Sequence, residues 1–236
     1  MAYKDRRCFV LKSVNYKDSD KIFTLYSDKD GRISAIARGV RKISSKRSGS
    51  LDRLNLVKLS YYRSSSGNKT ITEVTNISSF RNIKDNEDSI QISYLILELL
   101  LKNLEEESPD ERLFELLIRV FTFLDEGELT GEAVYAHFLL NFMDILGYKL
   151  SLEKCIFCKD SLSKGWKTSG FNYEKGGLVC DSCLSFEPNL ELKAAALMSK
   201  AKNLKDKDKR FYKNNSVYII QLLNVLDQYV KLKLSR

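Results

Sequence analysis

The chain is poor in the residues and signatures on which most enzymes depend. It has one histidine, His137, followed by Phe138 and Leu139. Zinc-dependent base deamination needs H-x-E and is therefore excluded. His137 sits mid-helix among apolar residues, the setting of a packed core side chain rather than a ligand. There is no G-x-x-x-x-G-K-[ST], no G-x-G-x-x-G and no G-x-S-x-G, which removes the motor, dinucleotide and hydrolase signatures. Gly39-Val40-Arg41-Lys42 looks like the start of a phosphate loop but is not followed by the lysine-hydroxyl pair. The strongest apolar run, Tyr94 to Leu101, contains Glu98 and falls far short of the ~20 residues that cross a bilayer. The first twenty residues carry charges on both sides of a short apolar run, so no signal-peptide core is expected there. The expected location is the cytoplasm. Five cysteines in a reducing compartment do not make a disulfide framework, and their spacing needs another explanation.

What is present falls into two compositions. At 236 residues and 43% hydrophobic content, the chain is long enough for one large domain or two ordinary ones. Residues 6–77 are β-like. Cys8 to Leu11, Lys21 to Tyr26 and Arg32 to Ala37 are rich in β-branched and aromatic residues, with a hairpin turn at Asp28 to Gly31. Leu54 to Tyr62 and Thr70 to Val74 follow, separated by the turn-forming Ser64 to Asn68. Five short strands predict a small barrel of the oligonucleotide-binding (OB) type.

From Ser89 the period becomes helical. Ser89 to Leu104 reads as a central buried helix, and Ser108-Pro109-Asp110-Glu111 reads as an N-cap, first-turn proline and capping box. Leu113, Leu116, Leu117, Val120 and Leu124 make one apolar stripe. Thr130 to Leu146, ended by Gly147, is a third helix; Glu191 to Leu204 and Asn215 to Lys233 are two more. The fold class is α+β, with an OB-type barrel over 1–80 and a mainly helical domain over 81–236 carrying an insertion at about 150–188.

Charge divides in the same way. The net charge is +8, a bias toward a polyanionic partner. Arg32 to Arg81 holds eleven lysines or arginines against Asp52 and Glu73, whereas Glu98 to Glu132 holds eleven acids against three bases. Within the basic end, residues 37–49 (ARGVRKISSKRSG) carry five cations and no acid. A second basic run, Lys200 to Lys213, has seven cations against Asp206 and Asp208.

The cysteines form Cys155-x-x-Cys158 and, twenty-one residues later, Cys180-x-x-Cys183. A two-residue spacer lets both sulfurs of a pair turn onto one ion, and Tyr173 to Val179, with Gly176-Gly177, can make the hairpin that returns the second pair. The pattern predicts one structural Zn2+ held by Cys155, Cys158, Cys180 and Cys183. Lys154 and Lys159 offset the excess negative charge. Four cysteine ligands leave no open position for catalysis. Cys8, alone in a strand, is expected to pack as a small hydrophobe.

Taken in order, VLKSVNYKDSDKIFTLYSDKDGRISAIARGVRKISSKRSGSLDRLNLVKLSYYR, ESPDERLFELLIRVFTFLDEG, CIFC...CDSC and the closing LLNVLDQYVKLKLSR resemble the bacterial RecO family of DNA repair proteins. The resemblance implies a recombination mediator without enzymatic turnover. Such a protein binds single- and double-stranded DNA, anneals complementary strands and, with RecR, helps RecA load onto DNA coated by single-stranded DNA-binding protein (SSB). SSB is captured by its acidic tail. Neither a membrane nor a small-molecule substrate is implied. Arg38, Arg41, Lys42, Lys46 and Arg47 match the family's basic segment after the third strand. Arg32, Arg53, Tyr62 and Arg63 surround it and are candidate contacts on physical grounds, the arginines for phosphate and Tyr62 for stacking on a base. Lys200 to Lys213 is a candidate receiver for the acidic tail. The competing class is an RNA-binding OB and zinc-ribbon factor of transcription or translation.

Overall fold

The structure is a computed structural model that describes residues 3–43, 45, 47–204, 212 and 214–234. Its contacts divide into two compact units, Met1–Glu115 and Leu116–Arg236.

Five strands of the first unit close into a barrel: β1 (Tyr3–Tyr16), β2 (Asp20–Ser27), β3 (Gly31–Ala37), β4 (Leu56–Arg63) and β5 (Lys69–Ser78). Their order is β1-β2-β3-β5-β4, with β3 parallel to β5 and every other pairing antiparallel. This is the expected OB-type barrel. Cys8, Val10, Phe23, Leu25, Ile33, Val57, Leu59 and Tyr61 fill its interior. Cys8 is fully buried there as a small hydrophobe, its thiol pushed up by burial. Phe9 and Leu11 alternate with those interior residues and so face outward, yet both are completely buried. That explains why Cys8 to Leu11 is apolar without alternation: both faces of this part of β1 are covered.

Phe9 stacks on Phe80 at 6.4 Å and meets Phe114 at 5.4 Å. Three helices follow the barrel, α1 (Arg81–Asp85), α2 (Glu87–Asn103) and α3 (Glu111–Glu126). α1 was not anticipated. α2 is covered on one side by burial of Ile96, Leu97 and Leu100, while Tyr94 and Leu95 are exposed, so it is not the fully buried helix that its apolar composition predicts. α3 buries the whole Leu113 to Leu124 stripe, but its cap is not Ser108. The Asp110 carboxylate accepts from the amides of Arg112 and Leu113, two and three residues further on. Tyr26 holds this turn in place, accepting from the Asp110 amide at 3.1 Å and donating to the Asp110 carbonyl at 3.2 Å.

The same turn determines Gly31. Gly31 has φ +67°, and a Cβ there would lie 2.4 Å from the Ser108 carbonyl carbon and 2.7 Å from the Pro109 nitrogen. Gly67 also has positive φ, +85°, but open space around it. Gly31→Ala is expected to destabilise by about 3 kcal/mol or more, against about 1 kcal/mol for Gly67→Ala, because it adds an immovable backbone clash to the conformational strain. Urea unfolding of the two variants checks this; equal losses would mean that the contact contributes nothing.

The second unit contains α4 (Gly131–Ile145), a hairpin of β6 (Ser169–Asn172) and β7 (Gly177–Cys180), then α5 (Leu192–Lys202) and α6 (Ser216–Leu234). α4 is capped by Thr130 and is buried on nearly every side, and it packs against both α5 and α6. His137 is 1% exposed and donates from Nδ1 to the Ala201 carbonyl at 2.9 Å, while Asn141 donates to the Lys202 carbonyl at 3.0 Å. The histidine is thus a packed residue that satisfies the end of α5, whose last carbonyls have no partner within the helix. Burial lowers its pKa and favours the neutral ring. Among the described residues no helix is long and apolar enough to cross a membrane.

Candidate metal centre and nucleic-acid interface

The two CxxC pairs come together. All four sulfurs lie within 4.8 Å of one another, and Cys158 Sγ is 3.6 Å from Cys180 Sγ. Tetrahedral zinc with bonds of ~2.3 Å puts its sulfurs ~3.8 Å apart, so the donor set fits that ion.

Local geometry makes the first pair a tight knuckle. The Cys155 amide donates to the Asp160 carbonyl, the Lys159 amide donates to the Cys155 carbonyl, and Lys159 is left-handed at φ +66°. The knuckle then docks on the hairpin through the Ile156 amide to the Leu178 carbonyl at 2.9 Å. Gly177 permits that approach, since a Cβ there would fall 2.4 Å from Ile156 Cγ2. The hairpin is anchored to α6: Phe171 meets Tyr229 edge-on at 5.6 Å, and Lys233 donates to the Glu174 carbonyl.

The electrostatics also favour a cation. Burial raises the Cys155 thiol, but amides of Cys180, Cys158 and Phe157 aimed at the sulfur outweigh it and bring the group to about 6. Cys183 is pushed up to about 12, chiefly by its hydrogen bond with Cys158 and by burial. The four groups cannot all ionise beside one another unless a cation bonds them all.

The basic segment after β3 is a strapped loop. The Gly39 amide donates to Asp20 Oδ1 at 2.8 Å, and Arg41 donates to the carbonyls of Lys17 and Asp18 at 3.2 and 3.1 Å. Arg47 donates to the carbonyls of Arg38, Ile71 and Thr72 at 2.7, 3.3 and 3.4 Å. Buried Asn55 holds the carbonyls of Gly49 and Ser50, and it accepts from Lys84 at 2.6 Å. Leu54 is left-handed at φ +80°, which is why β4 begins at Leu56 rather than at the expected Leu54.

Several predicted contacts therefore have guanidinium groups engaged with the protein itself. Besides Arg47, Arg32 donates to the Leu101 carbonyl at 2.9 Å near the end of α2. Arg53 donates to the Leu11 carbonyl at 3.0 Å and lies 4.3 Å from the Tyr94 ring centre. Arg63 pairs with Glu107, and Tyr62 is half-buried on β4. Arg38 and Lys42 are exposed, and Arg41 is exposed despite its two carbonyl contacts. Lys46 lies outside the described residues, as do 205–211 and 213 of the second basic run.

Arg41, Lys42 and Arg53 line one concavity of about 570 Å3. Its lining also includes Ser13 and Asn15 of β1, which pair with Phe23 and Lys21 of β2 in register. Among the described residues Lys21 and Lys42 have no side-chain partner. Asp52 is the acid on the lining. Sequence reasoning missed Ser13, Asn15 and Lys21. Their common face depends on strand pairing and on the irregularity between Val10 and Lys12, which shifts the β1–β2 register.

Comparison with known proteins matches both parts of the chain to one family. Residues 1–80 match the description "Recombination protein O N terminal", and residues 88–236 match "Recombination protein O C terminal". A DNA repair protein RecO of Clostridium novyi is 32% identical over 177 residues, covering 75% of this chain and 68% of that protein. That of Alkaliphilus metalliredigens is 27% identical over 232 residues, 97% of this chain and 92% of that protein. That of Bacillus pumilus is 30% identical over 190 residues, 79% and 71%.

Proposed function

The chain belongs to the recombination protein O family of DNA repair and recombination mediators, and from that premise we propose that it holds a DNA strand in the barrel's basic concavity while a complementary strand pairs with it. The observation that carries the reading is that concavity, whose lining brings together Lys21, Arg41 and Lys42, with no side-chain partner for Lys21 or Lys42 among the described residues. Cations with hydroxyl and amide neighbours contact phosphate and leave base edges unread, which suits a protein that must accept any sequence. Lys21, Arg38, Arg41 and Lys42, at or beside the concavity, are the cations we assign to phosphates there. Four such contacts on a single strand give a slope of log K against log salt of about −2.8.

Double-stranded DNA, RecR and, indirectly, RecA complete the set of partners that family membership supports. For SSB, the described part of the second basic run gives limited support, since Lys202 pairs with Asp144 at 3.2 Å. A groove of about 430 Å3 whose lining includes Lys167, Leu190, Glu191, Leu192, Lys193 and Tyr218 supports acidic-tail capture better, combining two cations against one acid with apolar side chains. The four-cysteine centre is assigned one structural zinc, held by Cys155, Cys158, Cys180 and Cys183, which ties the insertion together and leaves no open coordination position.

One assay tests the mediator reading. Complementary strands are mixed bare, coated with intact SSB, or coated with SSB lacking its acidic tail. Acceleration is expected for the first two and not for the third. Lys193→Glu should slow annealing of coated strands and leave bare strands unaffected. Failure to accelerate bare DNA annealing would favour the RNA-binding alternative, and equal rates with tail-less SSB would remove tail capture.

A further inference from the structure

We propose that the barrel has a second polyanion site, at the opposite end of β1 from the concavity, which takes the phosphodiester backbone of a second strand. The inference rests on the annealing reading above and concerns how one barrel holds two strands.

The site is a cleft of about 500 Å3 whose lining includes Lys4, Lys29, Arg63 and Lys69. β1 carries Lys4 into this cleft and Ser13 into the concavity nine residues later, about 30 Å along an extended strand. Two carboxylates face these cations. Asp30 is shared by Lys4 at 3.1 Å and Arg6 at 2.6 Å, and Tyr61 also donates to it at 2.6 Å. Glu107 is shared by Arg63 and Lys69. Lys29 has no side-chain partner among the described residues. Counting Arg6, the neighbourhood holds five cations and two acids, an excess of three positive charges.

The excess is held close and partly away from water. The Lys69 side chain is 12% exposed, so its charge is poorly screened by solvent. Its hydrogen bond and charge hold the Glu107 carboxyl below the usual range, with Arg63 and Lys4 adding to the effect. A phosphate entering beside Lys29 would meet Arg63 and Lys69 as well, and its oxygens could accept from all three. Asp30 lies deeper in a network with Arg6 and Tyr61, so it serves to fix the cleft's geometry. A continuous backbone makes use of such a place better than a neutral ligand, because only an anion answers the excess of positive charge around the cleft.

The test uses the full chain and a five-nucleotide oligo(dT), short enough to occupy one site at a time. Wild-type protein titrated at low salt should bind two oligonucleotides, and K29E/R63E should bind one. In that variant the first oligonucleotide should keep its affinity within twofold, while annealing of long complementary strands slows about tenfold. K29Q/R63Q, which removes charge without reversing it, should show the same loss in weaker form. Both positions are exposed, and Glu107 keeps Lys69 as a partner, so folding is preserved. One oligonucleotide per wild-type chain, or two per K29E/R63E chain, overturns the second site and leaves the concavity standing. No binding at all overturns both. If inorganic phosphate displaces the second oligonucleotide where chloride of equal ionic strength does not, the cleft is a free-phosphate site and the strand assignment is wrong.

Discussion

Zinc content, expected at one equivalent per unmodified chain, should fall to about a tenth or less in Cys155→Ser protein, which should also become protease-sensitive within residues 150–188. Cys155 is completely buried, and three amides converge on its sulfur. A serine oxygen there neither becomes an anion at neutral pH nor satisfies an ion that selects sulfur. The remaining three ligands cannot hold the knuckle against the hairpin. Structural zinc sites contribute roughly 10–16 kcal/mol of apparent binding free energy in small domains, so the insertion should not stay folded without it. Strong chelators should reproduce the effect in the unmodified chain. The barrel has its own core and contains none of the four ligands, so affinity for single-stranded DNA should change less than twofold. Cys8→Ser supplies the contrast: it places a hydroxyl in the barrel core, lowering stability by about 1–3 kcal/mol with zinc content unchanged. Full zinc retention in Cys155→Ser, or unchanged proteolysis of the insertion, would show that the cysteines are not the ligand set.

The cysteine centre was legible in the sequence because spacing alone imposes its geometry: two residues between sulfurs make a knuckle, and Gly176-Gly177 mark the return. The strands were legible through runs such as Ile33 to Ala37, but their partners were not. The parallel contact of β3 with β5 joins Ala35 and Ile36 to Lys69 and Thr70, residues separated by a long loop and a complete strand. Local pattern carries no information about that pairing. Capping shows the same limit. Ser108, Pro109 and Glu111 satisfy the pattern of a helix start, yet Tyr26 of β2 grips Asp110 and moves the start to Glu111. The charged residues were hardest. Arg32, Arg47 and Arg53 read as cations available to a ligand, but each donates to backbone carbonyls of the protein itself: Arg32 to α2, Arg47 to β5 and the loop after β3, and Arg53 to β1. Composition identifies where cations gather, and hydrogen-bond demand decides which are free.

That distinction gives the second large effect, a separation of stability from binding between neighbouring cations. Lys21→Glu/Lys42→Glu should weaken binding of single-stranded DNA by about tenfold or more at low salt. The salt slope should fall by about 1.4, as two phosphate contacts are lost. Stability should stay within about 0.5 kcal/mol, since neither side chain has a partner to lose among the described residues. Arg47→Ala should do the reverse. Its guanidinium bridges the carbonyls of Arg38, Ile71 and Thr72, joining the start and middle of the loop to β5. Removal leaves the part-buried Ile71 and Thr72 carbonyls short of a donor, a loss of about 1–3 kcal/mol, with the salt slope unchanged. Arg47→Lys sharpens the comparison because it keeps the charge but cannot span three acceptors with one planar group. If charge were what mattered at this position, the lysine variant would match wild type in both measurements. If bridging matters, it should unfold almost as readily as the alanine variant while binding DNA with the wild-type salt dependence. An alanine variant of undiminished stability whose slope falls by about 0.7 would return Arg47 to the phosphate contacts.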